Sequence, residues 1–306
     1  MLGWTATGRH DDPLALVDLD EPQPADDEVL IAVEAYSINR GETFLVEQPR
    51  DGWRPGKDVA GTVLREAADG SGPKRGQRVV GHPEQAGWAE RVAVPTSKLA
   101  ALPDGIATTT AAALPLAGLT ALRLTRVTGS LAGKTVLLTG ASGGVGHYFV
   151  ELAAAQGALV TAVVSSRQRG ERLLELGASE IVTDVEKTTG PFDVALESVG
   201  GDSLRAVWPR LHDRGLLVWF GQASRTPPTI DFVDWRGGMS ATMRKFQYAD
   251  SDTTDAADLG TLVRLVAGGH LRPQIGSVAD WRATPDTMNA LVSRQIRGNA
   301  VLTVTR

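Results

Sequence analysis

The 306-residue chain contains no cysteine. That excludes a disulfide framework, a thiol nucleophile and any thiolate-ligated zinc. Histidine is scarce as well. The five, His10, His82, His147, His212 and His270, include no two close enough in sequence to read as a ligand pair, so no metal site is expected. Positive charge is not in excess: a net charge of −5 removes the bulk electrostatic case for nucleic acid or an anionic membrane surface. No run approaches about 18 uninterrupted apolar residues. The opening residues MLGWTATGRHDDP carry no apolar stretch of the kind a secretory signal needs. The expectation is a cytoplasmic, soluble protein with no membrane partner. What is present is ordinary for a folded core, with 42% hydrophobic and 22% charged residues. At roughly 150 residues per domain, the length suggests two domains.

The first hundred or so residues read as β-rich. In Val29-Leu30-Ile31-Ala32-Val33-Glu34-Ala35 every odd position is apolar, as a short buried strand requires. Further strands are expected at 58–65, 77–80 and 88–94, set between glycine turns, which suggests a small barrel or sandwich-like unit. From about Thr108 the chain turns rich in alanine and leucine, and strand and helix patterns then alternate to about Gly269. Strands are expected at 135–139, 159–164, 180–182, 192–196 and 216–220, with helices at 147–156, 169–176 and 203–211. Such alternation implies a parallel sheet covered by helices on both faces. A helix at 258–267 and a strand at 300–303 end the chain. Before that strand, Thr284-Pro285 reads as an N-cap with proline at the first helical position, and Gly298 as the helix stop.

The strand 135–139 runs into Gly140-Ala141-Ser142-Gly143-Gly144-Val145-Gly146, and a helix follows. Glycines there let the backbone turn sharply and approach a pyrophosphate, while the helix N-terminus turns its free N–H groups toward the anion. The candidate contacts are Ser142, Gly143, Gly144, Val145 and Gly146. The tip of the second strand then selects the nucleotide. An NAD site usually carries Asp or Glu there for the ribose 2′-hydroxyl, but this sequence reads Val164-Ser165-Ser166-Arg167-Gln168-Arg169. Ser165, Ser166, Arg167 and Arg169 offer hydroxyls and guanidinium groups suited to a 2′-phosphate. NADP(H) is the expected cofactor.

The loop also fits the TGxxxGxG pattern of short-chain dehydrogenases, which place it near the N-terminus and use a Tyr-x-x-x-Lys pair. Here it follows a long β-rich stretch. The three tyrosines, Tyr36, Tyr148 and Tyr248, have Arg40, Leu152 and Asp252 four positions on. That reading fails. Instead the chain resembles, over essentially its whole length, the medium-chain dehydrogenase/reductase superfamily. The matching stretches are Pro55-Gly56-Lys57-Asp58-Val59-Ala60-Gly61, Gly87 to Pro95, Gly118-Leu119-Thr120-Ala121, the glycine loop, Asp193 to Gly201, and Phe220-Gly221.

The resemblance implies an α/β chain: a GroES-like β-rich substrate domain of residues 1–110 and 271–306, and a Rossmann doubly wound parallel-sheet NADP-binding domain of residues 111–270. It also implies a homodimer through the Rossmann sheet. Zinc members carry an early catalytic cysteine and a Gly-His-Glu motif. Here the tripeptide is Gly56-Lys57-Asp58 and no cysteine exists, so the chain resembles the zinc-independent, quinone-oxidoreductase-like branch. His82, in Gly81-His82-Pro83, falls after a different strand and reads as a loop histidine. Without a Lewis acid, quinones and α,β-unsaturated carbonyls (enones) are the easier acceptors, because conjugation spreads the anion that hydride addition creates. Orientation of the reactants, hydrogen-bond donors near the oxygen and solvent as proton source then suffice.

By the same resemblance, Ser37-Ile38-Asn39-Arg40 matches the segment that faces nicotinamide and substrate. Asn39 is the candidate for positioning the nicotinamide end. Arg40 stands where relatives often have an aromatic residue, and two roles are open: a catalytic donor to the acceptor oxygen, or a structural ion-pair partner. Thr120, Ser198, Phe220 and Gly221 are implied cofactor neighbours, and Arg169 matches a position near the 2′-phosphate. Two departures stand out, Asp184 in place of a tyrosine and Asn299 in place of a lysine. Phe232 and Trp235 are candidates for an apolar acceptor pocket or for core and subunit contacts. The function expected is NADPH-dependent reduction of a small-molecule quinone or enone. A pathway-specific enoyl reductase and a weakly catalytic NADPH-binding sensor or structural protein remain as alternatives.

Overall fold

A computed structural model describes residues 1–231 and 237–305; Phe232 and Trp235 lie outside the described residues. The chain divides into two units, Met1–Leu119 with Asp252–Arg306, and Thr120–Ser251. The first begins with strands β1 (Leu2–Ala6), β2 (Leu14–Asp18) and β3 (Glu28–Ile38), then helix α1 (Arg40–Glu47). Strands β4 (Val59–Arg65), β5 (Arg78–Gly81), β6 (Arg91–Pro95) and β7 (Leu99–Ala101) follow, then helices α2 (Thr108–Ala112) and α3 (Pro115–Val127). The unit boundary falls within α3.

The second unit runs β8 (Thr135–Leu138), α4 (Gly144–Ala155), β9 (Leu159–Val163), α5 (Arg167–Glu175), β10 (Glu180–Val182), β11 (Phe192–Glu197), α6 (Asp202–Val207), β12 (Leu211–Trp219) and β13 (Thr242–Lys245). All five strand pairings are parallel, in the order β10-β9-β8-β11-β12-β13. Val136, Leu137 and Leu138 of β8 and Val194, Ala195 and Leu196 of β11 are buried without alternation, the mark of a central strand covered on both faces. This is the Rossmann order. It reverses direction between β8 and β11, and ligands of such sheets bind beyond the carboxyl ends of the strands at that point.

The chain then returns to the first unit as α7 (Asp255–Ala267), β14 (Ile275–Asp280), α8 (Thr284–Val292) and β15 (Asn299–Thr303). Its larger sheet has the order β14-β15-β3-β4-β5-β7, with β6 also on β3. Strand β3 extends three residues past the expected Ala35, because β15 pairs with Ala35 to Ile38. Trp88, Trp281, Tyr36 and Ile31 fill its core. The unit boundaries lie at 119/120 and 251/252 rather than the expected 110/111 and 270/271, because α7 packs on β5 and β7. Thr284 is the first residue of α8 rather than its cap, which is Ala283. Gly298 does not stop that helix. It has φ +76° beside Gln274, where any Cβ would stand 2.3 Å from the Gln274 carbonyl oxygen, and so lets β15 start against β14. Asn299 donates from Nδ2 to the same oxygen at 3.1 Å, a structural use of that departure. No helix among the described residues is long and apolar enough to cross a membrane.

Candidate functional site

In the Rossmann unit the loop after β8 and the loop after β11 are tied together at the switch point. The Ser198 N–H donates to Thr139 Oγ1 at 3.0 Å, and Ser198 Oγ donates to the Thr139 carbonyl at 3.1 Å. Thr139 Oγ1 in turn donates to the buried Glu197 carboxylate at 3.1 Å. Glu197 also accepts from the N–H groups of Val199 and Gly200, both at 2.9 Å. Phe220 and Gly221 join the same place: the Phe220 N–H donates to the Glu197 carbonyl at 2.9 Å. A Cβ on Gly221 would lie 3.0 Å from the Ser198 carbonyl oxygen. Glu197 was not singled out in the sequence, since a carboxylate closing a strand has no local pattern.

The glycine loop itself has the shape of a phosphate cradle. Gly140 takes φ +62°, and a Cβ there would meet Ser198 Oγ at 2.6 Å. Gly143 is the exposed N-cap of α4 and has no side chain to cap it, so the first N–H groups of α4, from Gly144, Val145 and Gly146, are left for an anion. Ser165 is exposed just past β9, Ser166 is the N-cap of α5, and Arg167 is its exposed first residue. Arg169 Nε donates to Ser142 Oγ at 3.3 Å, which joins the tip of the second strand to the glycine loop. His147, one turn along α4, is buried, with Nδ1 2.8 Å from the Gly143 carbonyl. Burial lowers its affinity for a proton, and the Arg172 and Arg169 charges act in the same direction. Thr120 is buried on α3. Asp184, the other departure, caps a short turn by accepting from the Glu186 N–H at 3.0 Å. The loop, Ser198, Phe220, Gly221 and the arginine tip are thus brought together in one unit.

In the other unit, Asn39 is the half-buried N-cap of α1, and it sits between two buried carboxylates. Its Nδ2 lies 2.7 Å from Asp58 Oδ2 and 3.2 Å from Glu42 Oε2. Asp58 Oδ2 also accepts from Ser37 Oγ at 2.5 Å, and Oδ1 from the Leu116 N–H at 2.9 Å. Glu42 Oε2 accepts from the Asn39 N–H at 3.1 Å, and Oε1 from the Gly56 and Lys57 N–H groups, both at 3.0 Å. Gly56 makes this possible: at φ +117° its backbone packs on Gly87 and Trp88, where a Cβ would be 2.2 Å from the Trp88 nitrogen. His82 lies in a loop directly after β5, as expected, but not as an ordinary exposed one. It is buried, with Nδ1 3.4 Å from Asp58 Oδ1. Glu42, Asp58 and His82 are the site residues the sequence reading missed. The available signal was Asp58 in the tripeptide that holds the zinc motif in relatives.

Burial pushes the Glu42 carboxyl up from the ordinary 4.5 to about 7, Asp58 pushes further in the same direction, and the Asn39 and Gly56 donors oppose them. The folded protein therefore holds that proton more tightly than the unfolded chain. Stability from this group is greatest below pH 4.5 and falls as pH rises toward 7, by about 3 kcal/mol in all. Glu42→Gln removes the titration. The unfolding free energy of the native protein, measured against that of Glu42→Gln by urea melts, is expected to decline across this range. A difference that stays flat with pH contradicts the assignment.

Arg40, expected as a donor to substrate or as an ion-pair partner, makes a helix-end contact. Its Nη2 donates to the Leu291 and Val292 carbonyls at 2.9 and 3.3 Å, the last residues of α8, whose own last turn has no basic residue. A cation there complements the helix dipole and its unpaired carbonyls. Arg40→Ala is expected to cost about 1–2 kcal/mol of stability and to leave turnover at saturating acceptor within about twofold. A melt and a steady-state assay read both. Among the described residues no three His, Asp or Glu side chains group so as to hold a metal ion.

The chain matches two families, the alcohol dehydrogenase GroES-like domain over residues 25–104 and zinc-binding dehydrogenase over residues 176–302. It is 30% identical to a quinone oxidoreductase of Salmonella typhimurium over 96% of this chain and 97% of that protein. It is 33% identical to the 2-methylene-furan-3-one reductase of Solanum lycopersicum, over 69% of this chain and 59% of that one. A mycobacterial protein solved in complex with NADPH superposes with a TM-score of 0.88 at 26% identity, covering 99% of both chains.

Proposed function

Because the chain belongs to the quinone-oxidoreductase-like branch of the medium-chain dehydrogenase/reductase superfamily, we propose that it is a zinc-independent, NADPH-dependent reductase of quinones or α,β-unsaturated carbonyls. The observation that carries this reading is the second strand's tip. Beside a glycine loop at the switch point, it offers Ser165, Ser166, Arg167 and Arg169 and no carboxylate. The glycine backbone and the start of α4 hold the pyrophosphate; the two arginines hold the 2′-phosphate. NADPH held there would supply a hydride, and the resulting anion would take its proton from solvent, on oxygen for a quinone and on the α-carbon for an enone.

Independence from zinc rests on residue chemistry. Lysine cannot replace the family's histidine ligand while it is protonated, and Asp58 is committed to Ser37, Asn39 and Leu116. The quinone reading draws on the bacterial relative, and the enone reading on the tomato furanone reductase. The test is NADPH oxidation by chelator-treated protein with 1,4-naphthoquinone and with a simple enone, NADH serving as control. Chelator-resistant turnover with NADPH is expected, and the faster acceptor names the class. Tight NADPH binding without turnover on either points instead to a binding protein.

A further inference from the structure

The glycine loop faces two opposed demands. The first N–H groups of α4, from Gly144, Val145 and Gly146, must stay free for an anion, so the N-cap is Gly143, which brings no capping side chain. A peptide between two glycines, however, has more conformational freedom than any other. Rotation of the Gly143–Gly144 peptide about its flanking bonds would turn the Gly144 N–H away from the cradle. That peptide has to be held without occupying its N–H.

The hold is on the other end of the same peptide. The Gly143 carbonyl accepts from the His147 backbone N–H at 3.3 Å, a long helical bond, and lies 2.8 Å from Nδ1 of the His147 ring. His147 is 2% exposed. Burial first, and then the Arg172 and Arg169 charges, hold its proton affinity below the ordinary value. The imidazole is therefore neutral at neutral pH and carries a single N–H. A carbonyl oxygen only accepts, so that proton sits on Nδ1. The ring makes no other hydrogen bond among the described residues. In a planar trans peptide the C=O and N–H point in opposite directions, so fixing the Gly143 oxygen fixes the direction of the Gly144 N–H.

We infer that His147 is a positioning residue of the glycine loop: its Nδ1–H clamps the Gly143 carbonyl and thereby aims the Gly144 N–H at the pyrophosphate. That the anion is a dinucleotide pyrophosphate rests on the function proposed above. The residue acts through this one peptide rather than by contact with the ligand. NADPH and NADH carry the same pyrophosphate, so the clamp serves both equally. That separates His147 from Arg167 and Arg169, whose role is confined to the 2′-phosphate.

The test compares His147→Leu with His147→Asn in the full chain. Leucine is apolar and has no donor. The asparagine Nδ2 stands as many bonds from the backbone as the imidazole Nδ1 and donates to the same carbonyl. Fluorescence titration gives the Kd for NADPH and for NADH. His147→Leu is expected to weaken both by about fivefold, the effect of losing one neutral hydrogen bond, and His147→Asn to stay within about twofold of the native protein. The thermal midpoint is read beside them, since a structural role alone would lower it in both variants and leave their Kd values alike. Equal Kd values for the two variants overturn the inference. A loss confined to NADPH overturns it too, because the ring then acts through the arginine tip. If His147→Leu does not fold, the ring is read in the native protein by long-range nitrogen–proton NMR. The Nδ1–H form is expected, and the Nε2–H form overturns the inference; the His147→Asn spectrum identifies the signal among the five histidines. A native protein that binds neither dinucleotide overturns the proposed function. The same two variants are then titrated with inorganic pyrophosphate: weaker binding by His147→Leu than by His147→Asn supports the inference, and equal or absent binding overturns it.

Discussion

Alanine at both Arg167 and Arg169 is expected to weaken NADPH binding about a hundredfold or more, with NADH binding changed by no more than about threefold. Each guanidinium can make a charge-assisted bond to the 2′-phosphate worth about 1.5–3 kcal/mol, and every 1.4 kcal/mol is about tenfold in affinity. The positions support this division. Arg167 opens α5 in solvent, immediately after its N-cap Ser166, and Arg169 reaches Ser142 of the glycine loop. Neither residue is needed to close the helix: the Arg169 N–H donates to the Ser166 carbonyl at 3.0 Å whatever its side chain. Fluorescence titration of both dinucleotides on the double variant reads the ratio directly. Equal losses for NADPH and NADH would mean that the arginines shape the start of α5 rather than read the phosphate.

The second large effect is expected at Gly146. An added methyl would stand 2.1 Å from the Ala141 carbonyl oxygen and 2.6 Å from its carbon. These are backbone atoms of the loop, so α4 must move away from β8 or the loop must deform. Gly146→Ala is therefore expected to cost about 3 kcal/mol or more and to abolish dinucleotide binding. Gly143→Ala is the informative control. Its φ of −83° suits any residue, and an added Cβ would sit 3.4 Å from the Gly140 carbonyl oxygen. Stability within about 1 kcal/mol of the native value is expected there, with weaker NADPH binding because the methyl occupies the exposed lip of the cradle. Thermal melts and titrations on the two variants separate the glycine that shapes the loop from the one that admits the ligand. Similar stability for both would contradict the steric argument.

Much of the Rossmann unit was legible before any coordinates. Strand and helix periodicity placed β8, β9, β10, β11 and β12 to within a few residues, apart from the early start of β12 at Leu211. The alternation of strand and helix patterns marked the sheet as parallel. The glycine spacing and the arginine tip then located the candidate cofactor site, because a phosphate cradle is built from neighbours in sequence. Strands β1, β2, β7, β13 and β14 were not read from the sequence, because none of them lies in the alternating strand–helix stretch between flanking helices or shows a run as apolar as those of β8 and β11. Helix α3, hidden in the alanine-rich stretch, shows only as a change of composition.

The other site was fixed by distance in space alone. Asn39 meets Asp58 across 19 positions of sequence, and Arg40 meets the end of α8 across 251. No local pattern encodes a partner so remote, so Arg40 could be read equally as catalyst or brace. The same holds for α7, whose amphipathic period announces a helix but not which sheet it covers. The sequence by itself determined the type and order of most elements, the absence of a thiolate metal site and the chemistry of the phosphate loop. Each of these follows from spacing along the chain and from residue chemistry. Only the tertiary structure decided that two carboxylates grip the Asn39 amide, that His82 is buried against Asp58 and that Arg40 caps a helix. Those outcomes depend on which buried polar groups packing brings within hydrogen-bond reach, and burial forces such groups to find partners wherever the fold supplies them.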